Sequence, residues 1–307
     1  MKQINTKQQR KSARSAIVAG LITVGFLTAA AACYYIPKVF LKRKPDSLAA
    51  VVYATDGKQI DVPSNQDTIF YVPGGALKSD GKGLLVIPLG QLFDSALQSL
   101  KVPMKRIYRV DLPDGTSITL DAASHLLFPT QRCGDSTIIH LEGEGYIQVR
   151  GCNDTPVTIV TPTGRIQTSN SSLNINTYDS QETVISVLTG KVRFYGPDST
   201  INIGQGKEYV TGTVSGNALR PIRENRATAW MDGHYYFSQK DFFYVARLIE
   251  RTSGVPVVIK DTVLGKKIIN GSIDKKLSLE ENLRGLRVMV PFTYRMRHDT
   301  LYIKGVQ

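Results

Sequence analysis

Two neighbouring carboxylates, Glu142 and Glu144, are the first residues of this sequence that could do chemistry. A carboxylate pair can act as acid and base in glycoside hydrolysis, but the two groups must then face each other across a cleft. Here they flank Gly143, a residue type that favours turns. The spacing therefore predicts a solvated turn and not a catalytic pair.

The histidines and cysteines in the same part of the chain could form a metal site or a disulfide. They are His125, Cys133, His140 and Cys152. Zinc sites usually contain a closely spaced ligand pair such as C-x-x-C or H-x-x-x-H. Neither spacing occurs here, so we predict no metal. If the chain reverses at Gly143, Cys133 and Cys152 lie almost equally far from the turn and face each other. In an oxidising compartment they would form a disulfide, and otherwise they are two separate thiols.

Common signatures of nucleotide-binding and catalytic sites do not occur in the sequence. It contains no Walker loop, G-x-G-x-x-G, G-x-S-x-G or H-E-x-x-H. We therefore expect no enzymatic activity and no cofactor.

Charge is unevenly distributed along the 307 residues, whose net charge is +12. Residues 1–44 contain nine basic side chains and no acidic one, and residues 45–219 contain thirteen basic and seventeen acidic ones. Residues 220–307 contain sixteen basic and nine acidic ones. A basic segment beside an apolar run is typical of chains that contact anionic lipid. The sequence contains no basic helix with interleaved aromatic residues, the pattern typical of nucleic-acid binding, so we expect no nucleic-acid partner.

An uncharged run from Ala16 to Ile36 predicts a single transmembrane helix. At about 1.5 Å per residue, this run is long enough for the roughly 30 Å of a bilayer core. Residues 1–15 would be a short basic cytoplasmic tail, and residues 37–47 a linker. Two alternatives stay open. Cleavage within Ala29–Ala32 would release a secreted protein, and lipidation of Cys33 would give a lipoprotein.

Residues 48–219 have the pattern of an all-β domain. Short alternating runs are separated by turn residues every eight to twelve positions, which favours a sandwich, a barrel or a solenoid-like arrangement. The clearest turn follows Val110, and its residues are Leu112, Pro113, Asp114 and Gly115. Pro113 presets φ for the first inner position of the turn, and Asp114-Gly115 completes the reversal.

This run and a second one, Leu141–Val149, together resemble the periplasmic domain of the FecR family. In that family an LPDG(S/T) turn and an alternating strand are followed by L-x-GEAYF-x-V. The matching residues of the second run are Gly143, Glu144 and Tyr146. The chain departs from the family pattern at four places, namely Asp121, Gly145, Gln148 and the segment Ser169–Ile175. These are variations on turns and strands, so we expect the fold to be retained.

Residues 230–307, which begin at Trp230 and follow a connector at 220–229, predict a small α+β domain of order β-α-β-β-α-β-β. Its first helix is expected to start at the capping-box-like Ser238–Asp241, and its second at the capping box Ser278–Glu281. This order resembles the C-terminal domain of Bacteroidetes-type FecR proteins, which is similar to the short signalling domain of secretins and TonB-dependent receptors.

Four arginines on the predicted helices of this domain are candidates for partner docking. They are Arg247, Arg251, Arg284 and Arg287. Spacings of i,i+4 and i,i+3 place each pair on one helix face. Such a face would attract an acidic partner, and the alternative is an ordinary solvated surface.

The resemblance implies a single-pass inner-membrane regulator whose bulk lies in the periplasm. FecR proteins carry a signal from an outer-membrane TonB-dependent receptor to an extracytoplasmic-function sigma factor, which implies protein partners and no small-molecule substrate. Anti-sigma members have a folded cytosolic region, but residues 1–15 are too few to form one. The shortness of this segment puts direct sigma-factor binding in doubt, unless the chain starts further upstream. The rival interpretation is an envelope structural or adhesion protein that reuses the β fold.

Overall fold

The computed structural model describes residues 50–62, 67–80, 82–88, 97–130, 136–150, 156–179, 182–212, 217–223 and 226–306. The predicted membrane helix Ala16–Ile36 and the cysteines Cys33, Cys133 and Cys152 lie outside these residues. No helix in the described part of the chain is long and apolar enough to cross a membrane. Residues from Asp46 onward belong to one compact unit.

The first part of this unit, here called the β domain, contains eighteen described strands joined in one sheet, which has two connected parts, sheet A and sheet B. Sheet A contains, in spatial order, β2 (Gln59–Val62), β1 (Ala50–Tyr53), β6 (Leu97–Lys101), β9 (His125–Pro129), β10 (Thr137–Glu142), β12 (Val157–Thr161), β13 (Gly164–Thr168), β15 (Glu182–Tyr195) and β16 (Thr200–Gly204). Sheet B contains β3 (Thr68–Val72), β4 (Gly75–Ser79), β5 (Gly83–Pro88), β7 (Tyr108–Asp111), β8 (Ser117–Leu120), β11 (Glu144–Val149), β14 (Ser171–Asp179), β15 again, β17 (Lys207–Val210) and β18 (Ala218–Pro221).

The long strand β15 joins the two sheets. Its first half pairs with β14 and β17 in sheet B, and its second half pairs with β13 and β16 in sheet A. The predicted all-β domain is therefore confirmed. The last strand, β18, continues to Pro221, two residues into the predicted connector.

The core of the β domain lies between the sheets and follows from the alternation of its strands. In β8, for example, Ile118 and Leu120 are fully buried, while Ser117 and Thr119 face outward. Because side chains alternate between faces every residue, each strand supplies apolar side chains to one common interior. Phe128 and Phe194 are among the largest side chains that fill it.

The turn predicted at Leu112–Gly115 is confirmed. The Gly115 amide donates to the Leu112 carbonyl over 3.1 Å, and Gly115 has a φ of 84°. Only glycine adopts such a φ without strain. The carboxylate of Asp114 accepts the Thr116 amide and the Thr137 hydroxyl, each over 2.8 Å. Asp114 therefore connects this turn to the start of β10 through its two hydrogen bonds.

The hairpin predicted at Gly143 is wrong. β10 pairs with β9 and, in parallel, with β12, whereas β11 pairs with β8 and β14. The chain therefore crosses from sheet A to sheet B at Gly143. Its φ of 102° allows the sharp corner, and its amide and carbonyl bond to the hydroxyl and amide of Thr177, each over 2.7 Å.

The C-terminal domain confirms the predicted order of elements and adds two short helices. After a 3-10 helix (Ala229–Asp232) come β19 (His234–Asp241), α1 (Phe242–Ser253), β20 (Val257–Ile259), α2 (Thr262–Gly265), β21 (Ile268–Asp274), α3 (Leu279–Met289), β22 (Phe292–Arg297) and β23 (Thr300–Gly305). β19 pairs with β21, and β23 lies between β20 and β22.

The predicted start of one longer helix is confirmed, and that of the other is wrong. Ser278 and Glu281 form the predicted capping box of α3. The predicted start of α1 at Ser238 is wrong, because β19 stays paired with β21 as far as Asp241. Asp241 alone caps α1, and its carboxylate accepts the Tyr244 amide over 2.7 Å.

Candidate functional site

A cluster of buried polar side chains lies where the C-terminal domain packs on the β domain. We call it the interdomain cluster, and its members are Asp121, Ser124, Glu144, Asn174, Asn176, Tyr178, Trp230, Tyr235 and Arg251. The last three belong to the C-terminal domain, and the others come from the ends of β8, β11 and β14 and the loops beside them. Burying so many polar groups is costly unless each finds a partner.

Asp121 is the centre of the cluster and is fully buried. Its Oδ1 accepts the hydroxyl of Tyr235 over 2.8 Å, and its Oδ2 accepts that of Tyr178 over 3.2 Å. The Nε of Arg251 lies 3.8 Å from Oδ2. Burial raises the pKa of Asp121, and the positive charge of Arg251 opposes that rise. The carboxyl is therefore satisfied only when both domains are in place.

Arg251 enters the cluster from α1 and is only 5 % exposed. Its guanidinium lies 3.5 Å from the ring centre of Tyr178, a cation–π contact. Burial alone would lower its pKa, but the surrounding Tyr178, Tyr244 and Asp121 raise it overall, so Arg251 stays charged. It faces the β domain and does not meet solvent, so the predicted docking surface keeps only Arg247, Arg284 and Arg287, all of which are exposed.

Glu144 is buried, so the solvated turn expected here is wrong for this residue, although Glu142 is exposed. Its two carboxylate oxygens accept the side-chain amides of Asn174 over 3.0 Å and Asn176 over 2.8 Å. Burial and the nearby Asp121 raise the pKa of Glu144 to about 7, against the effect of the two amide donors. Glu144 therefore titrates near neutral pH.

Trp230 connects the 3-10 helix to the same network. Its ring is 2 % exposed, and its Nε1 donates to Oδ1 of Asn174 over 2.9 Å. Tyr235 and Phe237 are buried nearby, whereas Tyr236 is half exposed. Tyr146, from the second family motif, packs against the core of the C-terminal domain.

Further contacts surround the cluster. The Nζ of Lys240 lies 2.6 Å from Glu182 and 3.3 Å from Asp179. Burial would lower the pKa of Lys240, but the carboxylate of Glu182 raises it. At the end of α1, the Arg251 carbonyl accepts the amide of Lys105 over 2.8 Å.

Two β-domain loops that border the interdomain cluster each contain one residue with a left-handed backbone conformation. Lys105 has a φ of 68° and Ala123 a φ of 62°. The loops are bonded to each other, because the Val102 amide donates to the Ser124 carbonyl over 2.9 Å. A left-handed conformation in a residue with a side chain is strained. The strain thus lies in loops that border the interface.

Sequence reasoning missed most of the cluster because its members come from distant segments. Asp121 and Asn174 both lie at departures from the family pattern, which was one available signal. A second was the helical spacing of Tyr244, Leu248 and Arg251, which marks a second buried face of α1.

The polar contacts of the cluster connect the C-terminal domain to the β domain. In the described ranges, no group of three or more His, Cys, Asp or Glu side chains could hold a metal ion. The hydroxyls of Ser124 and Tyr178 are hydrogen-bonded within the network. The rings of Tyr178 and Tyr235 lie against its charged groups Arg251 and Asp121. We therefore expect these groups to affect mainly the stability of the interface between the two domains.

Comparisons with known proteins agree with this architecture. The family model described as FecR protein matches residues 98–193, and the model described as FecR, C-terminal, matches residues 234–303. Two crystal structures of a candidate anti-sigma factor from Parabacteroides distasonis ATCC 8503 are similar in fold, with 24 % sequence identity and TM-scores of 0.62 and 0.63. They cover 68 % and 69 % of this chain and 99 % and 100 % of their own. None of the curated proteins compared matches the sequence.

Proposed function

Because the chain belongs to the FecR family, we propose that it is a membrane-anchored regulator that relays an envelope signal through changes in protein binding and catalyses no reaction. The observation that carries this proposal is the docking of the C-terminal domain onto the β domain through the interdomain cluster. A partner that binds one domain can influence the other only by favouring one state of their interface. Tyr235 and Arg251 meet Asp121 only across this interface, so a partner that favours one state of it would change whether these contacts form.

The proposed input is the periplasmic signalling domain of an outer-membrane TonB-dependent receptor. The exposed surface of the C-terminal domain supports this assignment. Arg284 and Arg287 are exposed on α3, beside the exposed apolar side chains Val288 and Met289. Residues 220–307 contain sixteen basic and nine acidic side chains, and such an excess would speed the approach of an acidic partner.

The proposed output is an extracytoplasmic-function sigma factor, reached across the inner membrane. The uncharged run Ala16–Ile36 supports a single membrane-spanning anchor. Whether the sigma factor is bound directly or through another protein depends on the cytoplasmic segment before that run.

The test is crosslinking of the full chain in intact cells, followed by purification from membranes and identification of the crosslinked proteins. We expect an outer-membrane receptor among them, and a sigma-factor-dependent transcript that changes when the gene is deleted. Capture of fimbrial or polysaccharide-assembly components, with no change in transcription, would support the structural or adhesion alternative and contradict the proposal.

A further inference from the structure

The strand β3 is an unprotected edge of sheet B. It pairs with β4 on one side, and among the strand pairs of the described chain it has no second partner, since β2 pairs with β1. Its five residues, Thr68–Val72, include no charge and no proline. An unpaired strand edge offers a row of free backbone donors and acceptors to any other strand.

The solvent-facing side chains of β3 are also apolar. Ile69 is 52 % exposed and Tyr71 is 71 % exposed. The inward residues Phe70 and Val72 pack against the core of the β domain. On the neighbouring strand β4 the exposed Lys78 lies beside Ile69 and separates it from Leu85 on β5, so the apolar surface is confined to the edge strand itself.

The other edge strands of the β domain are protected in ways that β3 is not. β2 contains Asp61, and β18 contains Arg220 and Pro221. β16 exposes Thr200, Asn202 and Gly204. Charge, proline and polar side chains are the usual means by which proteins discourage edge-to-edge pairing. β3 alone among these four strands combines high β propensity with an apolar exposed face.

We infer that β3 pairs in antiparallel fashion with β3 of a second copy of this chain, about a two-fold axis at Phe70. In this register Ile69 lies opposite Tyr71 of the second copy, and Thr68 lies opposite Val72. Both are pairs of β-branched or aromatic residues, the types that stabilise neighbouring strands. The contact is isologous and closes after two copies.

Charge favours a second copy as the occupant. Any charge on β3 would occur in both copies on either side of the axis and would repel its equivalent there, and β3 has none. The surrounding segment, residues 45–219, contains thirteen basic and seventeen acidic side chains, so two β domains repel each other little. Because Pro73 follows the strand directly, the pair is limited to about five residues. Such a contact is smaller than a standard stable interface, so the dimer should be weak and concentration-dependent.

The experiment uses the full chain produced with two different affinity tags in the same cells. A photo-crosslinking benzoylphenylalanine replaces Tyr71, and the cells are irradiated before purification. We expect a crosslinked dimer that contains both tags, with the crosslink mapped by mass spectrometry to the segment around Ile69. The double variant Ile69→Lys/Tyr71→Lys, without the probe, should lose co-purification because like charges then meet at the axis.

The matched control is Leu85→Lys, an apolar position two strands away from the edge whose exposure is close to that of Ile69. It should leave co-purification unchanged, and the circular dichroism of all variants should match that of the wild type. The inference is overturned if no dimer crosslinks at Tyr71, if the crosslink maps outside β3, or if Leu85→Lys abolishes co-purification as fully as the edge variant does.

Discussion

Tyr235 of the C-terminal domain donates its hydroxyl to Oδ1 of Asp121 in the β domain over 2.8 Å, although 114 residues separate them in sequence. Asp121 is fully buried, and Tyr235 is 4 % exposed. Together with the guanidinium of Arg251, this bond joins two domains through groups that water cannot easily replace.

Loss of the positive charge in the cluster should destabilise the protein strongly. Arg251→Ala leaves Asp121 buried without its cationic neighbour, and we expect the free energy of unfolding to fall by about 3–5 kcal/mol. Trp230 is the single tryptophan of the chain and lies in the cluster, so its fluorescence during urea unfolding measures the effect. Arg247→Ala, on the exposed side of the same helix, is the control and should change stability by less than about 0.5 kcal/mol. Equal effects of the two variants would show that the cluster does not hold the domains together.

Stability should decrease as the pH rises toward neutrality. In the folded protein the pKa of Glu144 is about 7, above its ordinary value of 4.5. The folded state therefore binds this proton more tightly than the unfolded state does. The stabilisation is fully present below pH 4.5 and is lost as the pH rises to about 7, a change of up to about 3 kcal/mol.

The measurement is the urea midpoint of Trp230 fluorescence at several pH values between 4.5 and 8. Glu144→Gln keeps a neutral side chain of the same shape and should remove most of this dependence. The raised pKa of Asp121 acts in the same direction, so a smaller slope should remain in the variant. A wild-type midpoint that rises with pH over this range would contradict the prediction.

The exposed arginines of α3 should affect partner binding more than folding. Arg284→Glu/Arg287→Glu reverses two charges on one exposed helix face, and we expect at least about tenfold weaker binding to an acidic receptor domain. Leu283→Asp should instead unfold the C-terminal domain, because Leu283 is 1 % exposed. Binding can be measured by titration with the purified receptor domain in low and moderate salt. Unchanged affinity in the double variant would place the docking surface elsewhere.

The Cys133–Cys152 disulfide stays a prediction, but on a new basis. The Gly143 hairpin that suggested it is absent, whereas β10 and β12 run parallel with Thr137 beside Val157. The two cysteines precede these paired residues by four and five positions. Peptide mapping without reductant should find the bond in protein from an oxidising compartment, and in the chain-entropy model it would stabilise by about 3 kcal/mol. Full labelling of both thiols before reduction would show that they are free.

The membrane anchor can be tested by topology. A reporter enzyme that is active only in the periplasm, fused after Gln307, should be active, and the fusion should stay with the membranes in high salt. This result is expected because Ala16–Ile36 contains no charge. A soluble product that begins after Ala32 would instead indicate cleavage.

Local features were the predictable part of the fold. The Leu112–Gly115 turn and the Ser278–Glu281 capping box each depend on residues within four positions, and both form as expected. Gly143 was misassigned because a corner between two sheets and a hairpin turn look alike in sequence. Only the distant strands β9, β12 and β14 decide which of the two occurs.

The candidate site was harder to predict for the same reason. Glu144 looks like a solvated turn residue until Asn174 and Asn176, about thirty positions away, are placed beside it. Arg251 looks like one of several helix-surface arginines until Asp121 and Tyr178 enclose it. Pairing of buried polar groups is a tertiary property, and sequence periodicity alone does not show it.

The left-handed backbone at Lys105 and Ala123 has an evolutionary consequence. Glycine at either position would relieve the strain, so a lineage selected for thermal stability alone has an easy path to it. Glycine would also loosen the two loops in the unfolded and partly opened chain. Substitution by glycine at either position would thus exchange a strained backbone for a looser loop beside the surface on which the C-terminal domain packs.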